Sequence, residues 1–104
     1  MAFGIKREEL TLWKQKVASG EVALITHFWH DPRFPQYKTV TKAGCSDLDK
    51  LKRWGEKYGL KAKWIDRRSP YPHYDLMGET QIKVLLAEGQ SEDLKRFRLE
   101  DHDD

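Results

Sequence analysis

Four prolines in two tight pairs limit what this chain can fold into. Asp31-Pro32 and Phe34-Pro35 interrupt the backbone twice within five residues, and Ser69-Pro70-Tyr71-Pro72 forces a second extended stretch. Each proline drives the residue before it out of the α region, so neither stretch fits inside a helix. Regular structure has to be sought on either side of them. Before the first pair, Ile5, Leu10, Trp13 and Val17 recur close to helical spacing. Glu8 and Glu9 suit the early turns of that helix and Gly20 its end, which predicts a helix over residues 5–19. Glu21 to Trp29 is β-branched and aromatic and reads as a strand. Tyr37 to Lys42 alternates in polarity and reads as a second, short strand that pairs with the first across the proline turn.

Between the proline pairs, Ser46 is the expected N-cap of a helix whose first turn holds Asp47 and Asp49. Leu48, Leu51, Trp54 and Tyr58 form its apolar stripe, and Gly59 followed by Leu60 closes it. Lys61 to Asp66 is read as one more helical turn with Trp64 and Ile65 buried. After the second pair, a helix from about residue 78 to 88 turns Ile82, Leu85 and Leu86 inward and stops at Gly89. Ser91 caps a last short helix carrying Leu94 and Phe97. The expected architecture is a small single α+β domain over residues 1–99. A short two-stranded or slightly larger sheet packs on about three helices, and residues 100–104 form a frayed acidic tail.

At 104 residues the chain has room for one modest core. Charged residues reach 35%, but 19 basic and 17 acidic groups nearly cancel, and four each of Trp, Tyr and Phe argue against disorder. One cysteine excludes an intrachain disulfide or a Cys-based zinc module. Cys45 is expected to be buried and inert. No apolar run approaches the ~18 residues of a membrane span, and the first residues lack the pattern of a secretory signal. The expectation is a cytoplasmic protein that does not enter membranes.

Two polar groups draw attention as chemistry. His27-Phe28-Trp29-His30-Asp31 leaves the first strand, and on a strand residues three apart face opposite sides, so His27 and His30 do not converge. His30 and Asp31 stand at the strand end, where loops hold functional groups. His73-Tyr74-Asp75 follows the second proline pair, and in an extended stretch His73 and Asp75 share a face. If the groups meet, His30, Asp31, His73 and Asp75 supply two imidazoles and two carboxylates, a set suited to a divalent metal or to acid–base work. Arg33 is placed to pair with an anionic ligand or with Asp75. His–Asp pairs also serve simply to fix loops, and that structural alternative stays open.

Thr41-Lys42-Ala43-Gly44-Cys45-Ser46 has the look of an anion-cradling loop, but Asp47 and Asp49 repel a phosphate there. Residues 37–68 hold ten Lys and Arg against four Asp and Glu, a net of +6. Within them, Lys50, Arg53, Lys57, Lys61, Arg67 and Arg68 interleave with aromatics, the pattern of a nucleic-acid surface. Trp54 and Tyr58 lie on the apolar stripe, which favours a core role and leaves the lysines as a solvated face. The phosphate-loop, dinucleotide and zinc-protease motifs are absent.

Three stretches carry a resemblance: Met1-Ala2-Phe3-Gly4-Ile5-Lys6-Arg7-Glu8, Thr39-Val40-Thr41-Lys42-Ala43-Gly44-Cys45, and Trp54-Gly55-Glu56-Lys57-Tyr58-Gly59-Leu60. In these the chain resembles a group of small uncharacterised cytosolic proteins of Gram-positive bacteria. More distantly, residues 22–89 are similar to a bacterial and phage domain family of unknown function with Asp-Pro-Arg-aromatic-Pro and Pro-His-Tyr-Asp motifs. The counterparts here are Asp31-Pro32-Arg33-Phe34-Pro35 and Pro72-His73-Tyr74-Asp75. His30 departs from the Asp usual there. The resemblance implies no activity, but its motifs coincide with the two polar groups.

The reading that follows is a domain binding a small ligand or protein partner through His30, Asp31, Arg33, His73 and Asp75. A divalent-metal hydrolase or nuclease using His30, His73 and Asp75 as ligands is the enzymatic alternative. Nucleic-acid binding through the basic segment is a third. Neither the ligand nor the oligomeric state is readable from the sequence.

Overall fold

The computed structural model describes residues 5–68 and 70–97. Helix α1 spans Arg7–Ala18, strands β1 and β2 span Ala23–Phe28 and Thr39–Gly44, and α2 spans Leu48–Glu56. A 3-10 turn at Ala62–Trp64 leads to strand β3, His73–Leu76, followed by α3 at Gly78–Ala87 and α4 at Ser91–Arg96. The α+β expectation is borne out, with a sheet of three strands in the order β1-β2-β3. Both pairings are antiparallel: Ala23 lies opposite Gly44 and Phe28 opposite Thr39, while Gly44 lies opposite His73 and Thr41 opposite Leu76. The third strand comes from the extended stretch after Pro72.

Side chains alternate across a strand, so these registers sort the sheet into two faces. Ala23, Ile25, His27, Val40, Lys42, Gly44, His73 and Asp75 share one; Thr26, Thr39, Thr41, Ala43, Tyr74 and Leu76 share the other. On the first face α1 lays Trp13 and Val17 over Ala23 and Ile25. Gly44 permits that approach, since a Cβ there would come within 2.7 Å of the Trp13 ring. On the second face Ala43, Tyr74 and Leu76 pack with Leu51 and Trp54 of α2 and Val84 of α3. Buried Gln81 joins that layer by hydrogen bonds with Thr39 (3.2 Å) and Thr41 (3.0 Å), and Thr41 meets Thr26 at 2.6 Å.

Glycine and Leu60 end α2 as expected: the Leu60 N–H donates to Gly55 O at 3.0 Å and the Gly59 N–H to Glu56 O at 3.2 Å. Five details differ from the sequence reading, one of them at α4, where Gln90 is the N-cap and Ser91 the first helical residue. Asp47 rather than Ser46 caps α2, its carboxylate accepting from the Lys50 N–H at 3.1 Å. Strand β2 runs on to Gly44, which turns the supposed anion loop into sheet. Trp64 is exposed, because a single turn cannot send two neighbouring residues inward and Ile65 takes the core position. Leu86 is exposed too, since Gln81, Val84 and Leu85 form the inward stripe of α3. A glutamine held by buried threonines is invisible to an apolar pattern. Cys45 is fully buried, as expected. The expected tail, residues 100–104, lies outside the described residues.

Candidate functional site

α1 covers only the end of its sheet face that carries Ala23, Ile25 and Gly44. The other end opens into a groove of about 550 Å³, with His27, Trp29, Val40, Lys42, His73 and Asp75 on the sheet side. Leu10, Trp13 and Lys14 of α1 and Pro70 and Tyr71 of the extended segment complete its walls. Register creates this cluster. Lys42 is paired with Ile25 on one side and Asp75 on the other, and His27 faces Val40 two positions along.

The Lys42 ammonium lies 3.5 Å from His73 Nε2 and 4.0 Å from Asp75 Oδ1, and His73 Nε2 lies 3.4 Å from the same carboxylate oxygen. His73 Nδ1 lies 2.8 Å from the Tyr71 carbonyl, which holds the ring hydrogen on that nitrogen and aims Nε2 at the charged pair. Burial works against protonating His73, but the Asp75 carboxylate and the Tyr71 carbonyl outweigh it and raise its pKa above the imidazole norm. His27 behaves in the opposite sense. Its burial, with Lys42 nearby, lowers the pKa despite the Phe28 carbonyl that accepts from Nδ1 at 2.8 Å. Its Nε2 is therefore an acceptor, and it is buried without a hydrogen-bond partner among the described residues. Leaving such an atom unsatisfied costs ~1–3 kcal/mol.

The two polar groups read from the sequence meet only in part. His73 and Asp75 share a face and line the groove, but the imidazole that joins them there is His27, and His30 is exposed and does not line it. Asp31 and Arg33 are committed to each other: Arg33 donates from Nη2 at 2.6 Å, from Nε at 3.1 Å and from its backbone N–H at 2.9 Å. The guanidinium holds the Asp31 carboxyl down at about 2. Arg33 thus staples the proline turn, while Asp75 faces Lys42 and His73. The turn touches the groove through Phe34, which stacks on Trp29 at 6.3 Å.

Sequence reasoning missed His27, Lys42, Trp29 and Asp66. For His27 a signal existed, since alternation from Ala23 and Ile25 already puts it on the face that α1 covers. Lys42 depends on β2–β3 register, which no local pattern reveals. Among the described residues, ligand atoms of Asp66, His73 and Asp75 converge within 4.8 Å, a donor set that could take a metal. Asp66 reaches it by a two-way backbone bridge to His73, at 2.7 and 3.2 Å. Its carboxylate is held by Arg68 and sits at about 2 as a result. The Lys42 ammonium already supplies positive charge beside His73 and Asp75.

In the basic segment, Lys50 donates to the Gly20 carbonyl at 3.0 Å, Lys57 pairs with Glu88 at 3.7 Å and Arg68 with Asp66 at 3.1 Å. Arg53, Lys61 and Arg67 are exposed and form no ion pair among the described residues. Trp54 and Tyr58 both bond Glu88, the indole N–H at 3.1 Å, so these two aromatics belong to the core layer. Among the described residues no helix is long and apolar enough to cross a membrane.

No protein-family model matches the chain, and no solved structure does. A curated relative from Bacillus subtilis strain 168, the "uncharacterized protein YneQ", is 59% identical over 99 residues, covering 95% of this chain and 100% of the relative. Identity of that depth along the whole relative bears out the resemblance to small uncharacterised proteins of Gram-positive bacteria, and the chain belongs to the family of YneQ.

Proposed function

We propose that this domain binds a small anionic molecule with a planar body in the groove between α1 and the end of the sheet that carries Lys42 and Asp75. One observation carries the reading. A sheet face that elsewhere packs Ala23 and Ile25 under α1 here buries two imidazoles and brings an ammonium and a carboxylate to one opening. Burying such groups is unfavourable unless something pairs with them, and aliphatic side chains would close the sheet without that penalty. Lys14, Lys42 and His73, whose pKa is raised, oppose the carboxylate of Asp75, and the nearby Asp66 carboxylate is paired with Arg68, which favours an anion. Trp13, Trp29 and Tyr71 offer flat apolar walls. The volume lies within the ~300–1,000 Å³ usual for small-molecule sites. Asp31 and Arg33 enter as the rigid turn behind Trp29, with His30 beside it in sequence. A cytoplasmic location is part of the reading, supported by the free, buried Cys45.

Thermal denaturation with a panel of aromatic carboxylates and nucleoside phosphates tests it. A binder at about 100 times its Kd stabilises the fold by ~2.7 kcal/mol, several degrees in melting temperature for a domain of this size. Lys42→Gln is expected to melt near the parent temperature yet lose that shift. A panel that moves nothing, or a shift that survives Lys42→Gln, would contradict the proposal.

The convergence of Asp66, His73 and Asp75 favours one second reading, a divalent-metal hydrolase or nuclease. The ion would have to displace the Lys42 ammonium, so this reading requires Zn²⁺ or Mn²⁺ to perturb the His73 ring signals in NMR. An undisturbed ring removes it.

A further inference from the structure

We infer that the 3-10 turn Ala62–Trp64 is a stacking platform for single-stranded nucleic acid, with Trp64 receiving a base and Lys61, Lys63 and Arg67 meeting phosphates. Trp64 is 52% exposed, whereas Trp13 and Trp54 are 6% and 7% exposed and belong to the cores. The fold has no packing use for this indole. Leu60 before it and Ile65 after it make the core contacts of the segment. The same contacts fix the platform: the Trp64 N–H donates to Lys61 O at 2.9 Å, the Ile65 N–H donates to Ala62 O at 3.2 Å, and Asp66 is bridged to β3. The backbone that carries this exposed aromatic is therefore fixed, which lowers the ordering cost of stacking a base on it.

The charge around it suits the same partner. Residues 61–68 hold four basic groups, Lys61, Lys63, Arg67 and Arg68, against Asp66 alone. Arg68 is spent on Asp66, which leaves Lys61, Lys63 and Arg67 exposed and outside any ion pair among the described residues. Lys61 Nζ lies 5.8 Å from the Trp64 ring centroid, so a cation and a π-face are presented together. Base stacking on an aromatic beside backbone-tracking cations is how single strands are held without sequence preference. An acidic peptide would satisfy the cations but leave the indole unused. Trp64 does not line the groove, and the inference is independent of what that groove binds.

Anisotropy of a fluorescein-labelled oligo-dT, titrated with the full chain from low to high KCl, tests it. Binding is expected at low salt, and three phosphate contacts give a log K versus log [salt] slope of about −2. Trp64→Ala should weaken binding about fivefold or more while Trp64→Phe keeps most of it. Lys61→Ala should flatten the salt slope, and Lys83→Ala on α3 controls for loss of one charge elsewhere. Three results overturn the inference: no binding at low salt, Trp64→Ala binding like the parent, or polyglutamate competing as well as oligo-dT.

Discussion

At His27 the ring hydrogen is committed to the Phe28 carbonyl, and burial disfavours a second proton. Its folded pKa lies below the ordinary value of 6.5, so the unfolded chain binds more protons as pH falls past 6.5. The stabilising contribution of His27 is therefore complete above that pH and is lost as pH drops toward the folded pKa. His73 has the opposite sign. Its folded pKa is raised above 6.5 by Asp75 and the Tyr71 carbonyl against the pull of burial. Its contribution is complete below 6.5 and is lost as pH rises through the folded pKa. Urea unfolding from about pH 5 to about pH 8 separates the two, in the range where histidine titrates. Relative to the parent, His27→Gln should lose least stability at the acid end, and His73→Gln should lose least at the alkaline end. Parallel pH profiles for the two variants would show that the rings do not differ in this way.

Helix α2 shows how one residue type ties an element to the sheet. Gly55 lies on its buried side, and a Cβ there would sit 2.5 Å from Tyr74 Oη and 2.8 Å from Cζ. Tyr74 is 1% exposed and packs against Trp54, with ring centroids 6.3 Å apart, so its ring has little room to retreat. Gly55→Ala should lower stability in urea unfolding by ~1–2 kcal/mol, since overpacking outweighs the ~1 kcal/mol by which alanine favours a helix. A variant as stable as the parent would mean that Tyr74 shifts freely. Local patterns made much of this scale legible. The Gly59–Leu60 step marks the end of α2, and the i, i+2 relation of His73 and Asp75 marks their shared face. What stayed hidden was set by neighbours in space: the burial of Gln81 against two threonines of β2, and the exposure of Trp64 once Ile65 had claimed the core.

For the molecule as a whole, three layers enclose two cores, and the groove lies beside the single helix that packs on its sheet face. That arrangement is long-range. It depends on where α1 docks and on the pairing of Lys42 with Asp75, so the sequence pointed to the second polar motif but not to His27 and Lys42 as its companions. The proline turn, its most conspicuous motif, proves to be a braced corner whose Asp31 and Arg33 hold each other. The proposed binding site is the groove and not the turn. A protein-observed NMR screen of a fragment library tests this most directly, through the indole signals of Trp13 and Trp29 and the ring signals of His27, His30 and His73. Hits are expected to move Trp13, Trp29, His27 and His73 together, and Lys42→Gln to weaken them. Hits that move His30 without His27, or a library that leaves the groove signals unmoved, would contradict the proposed site.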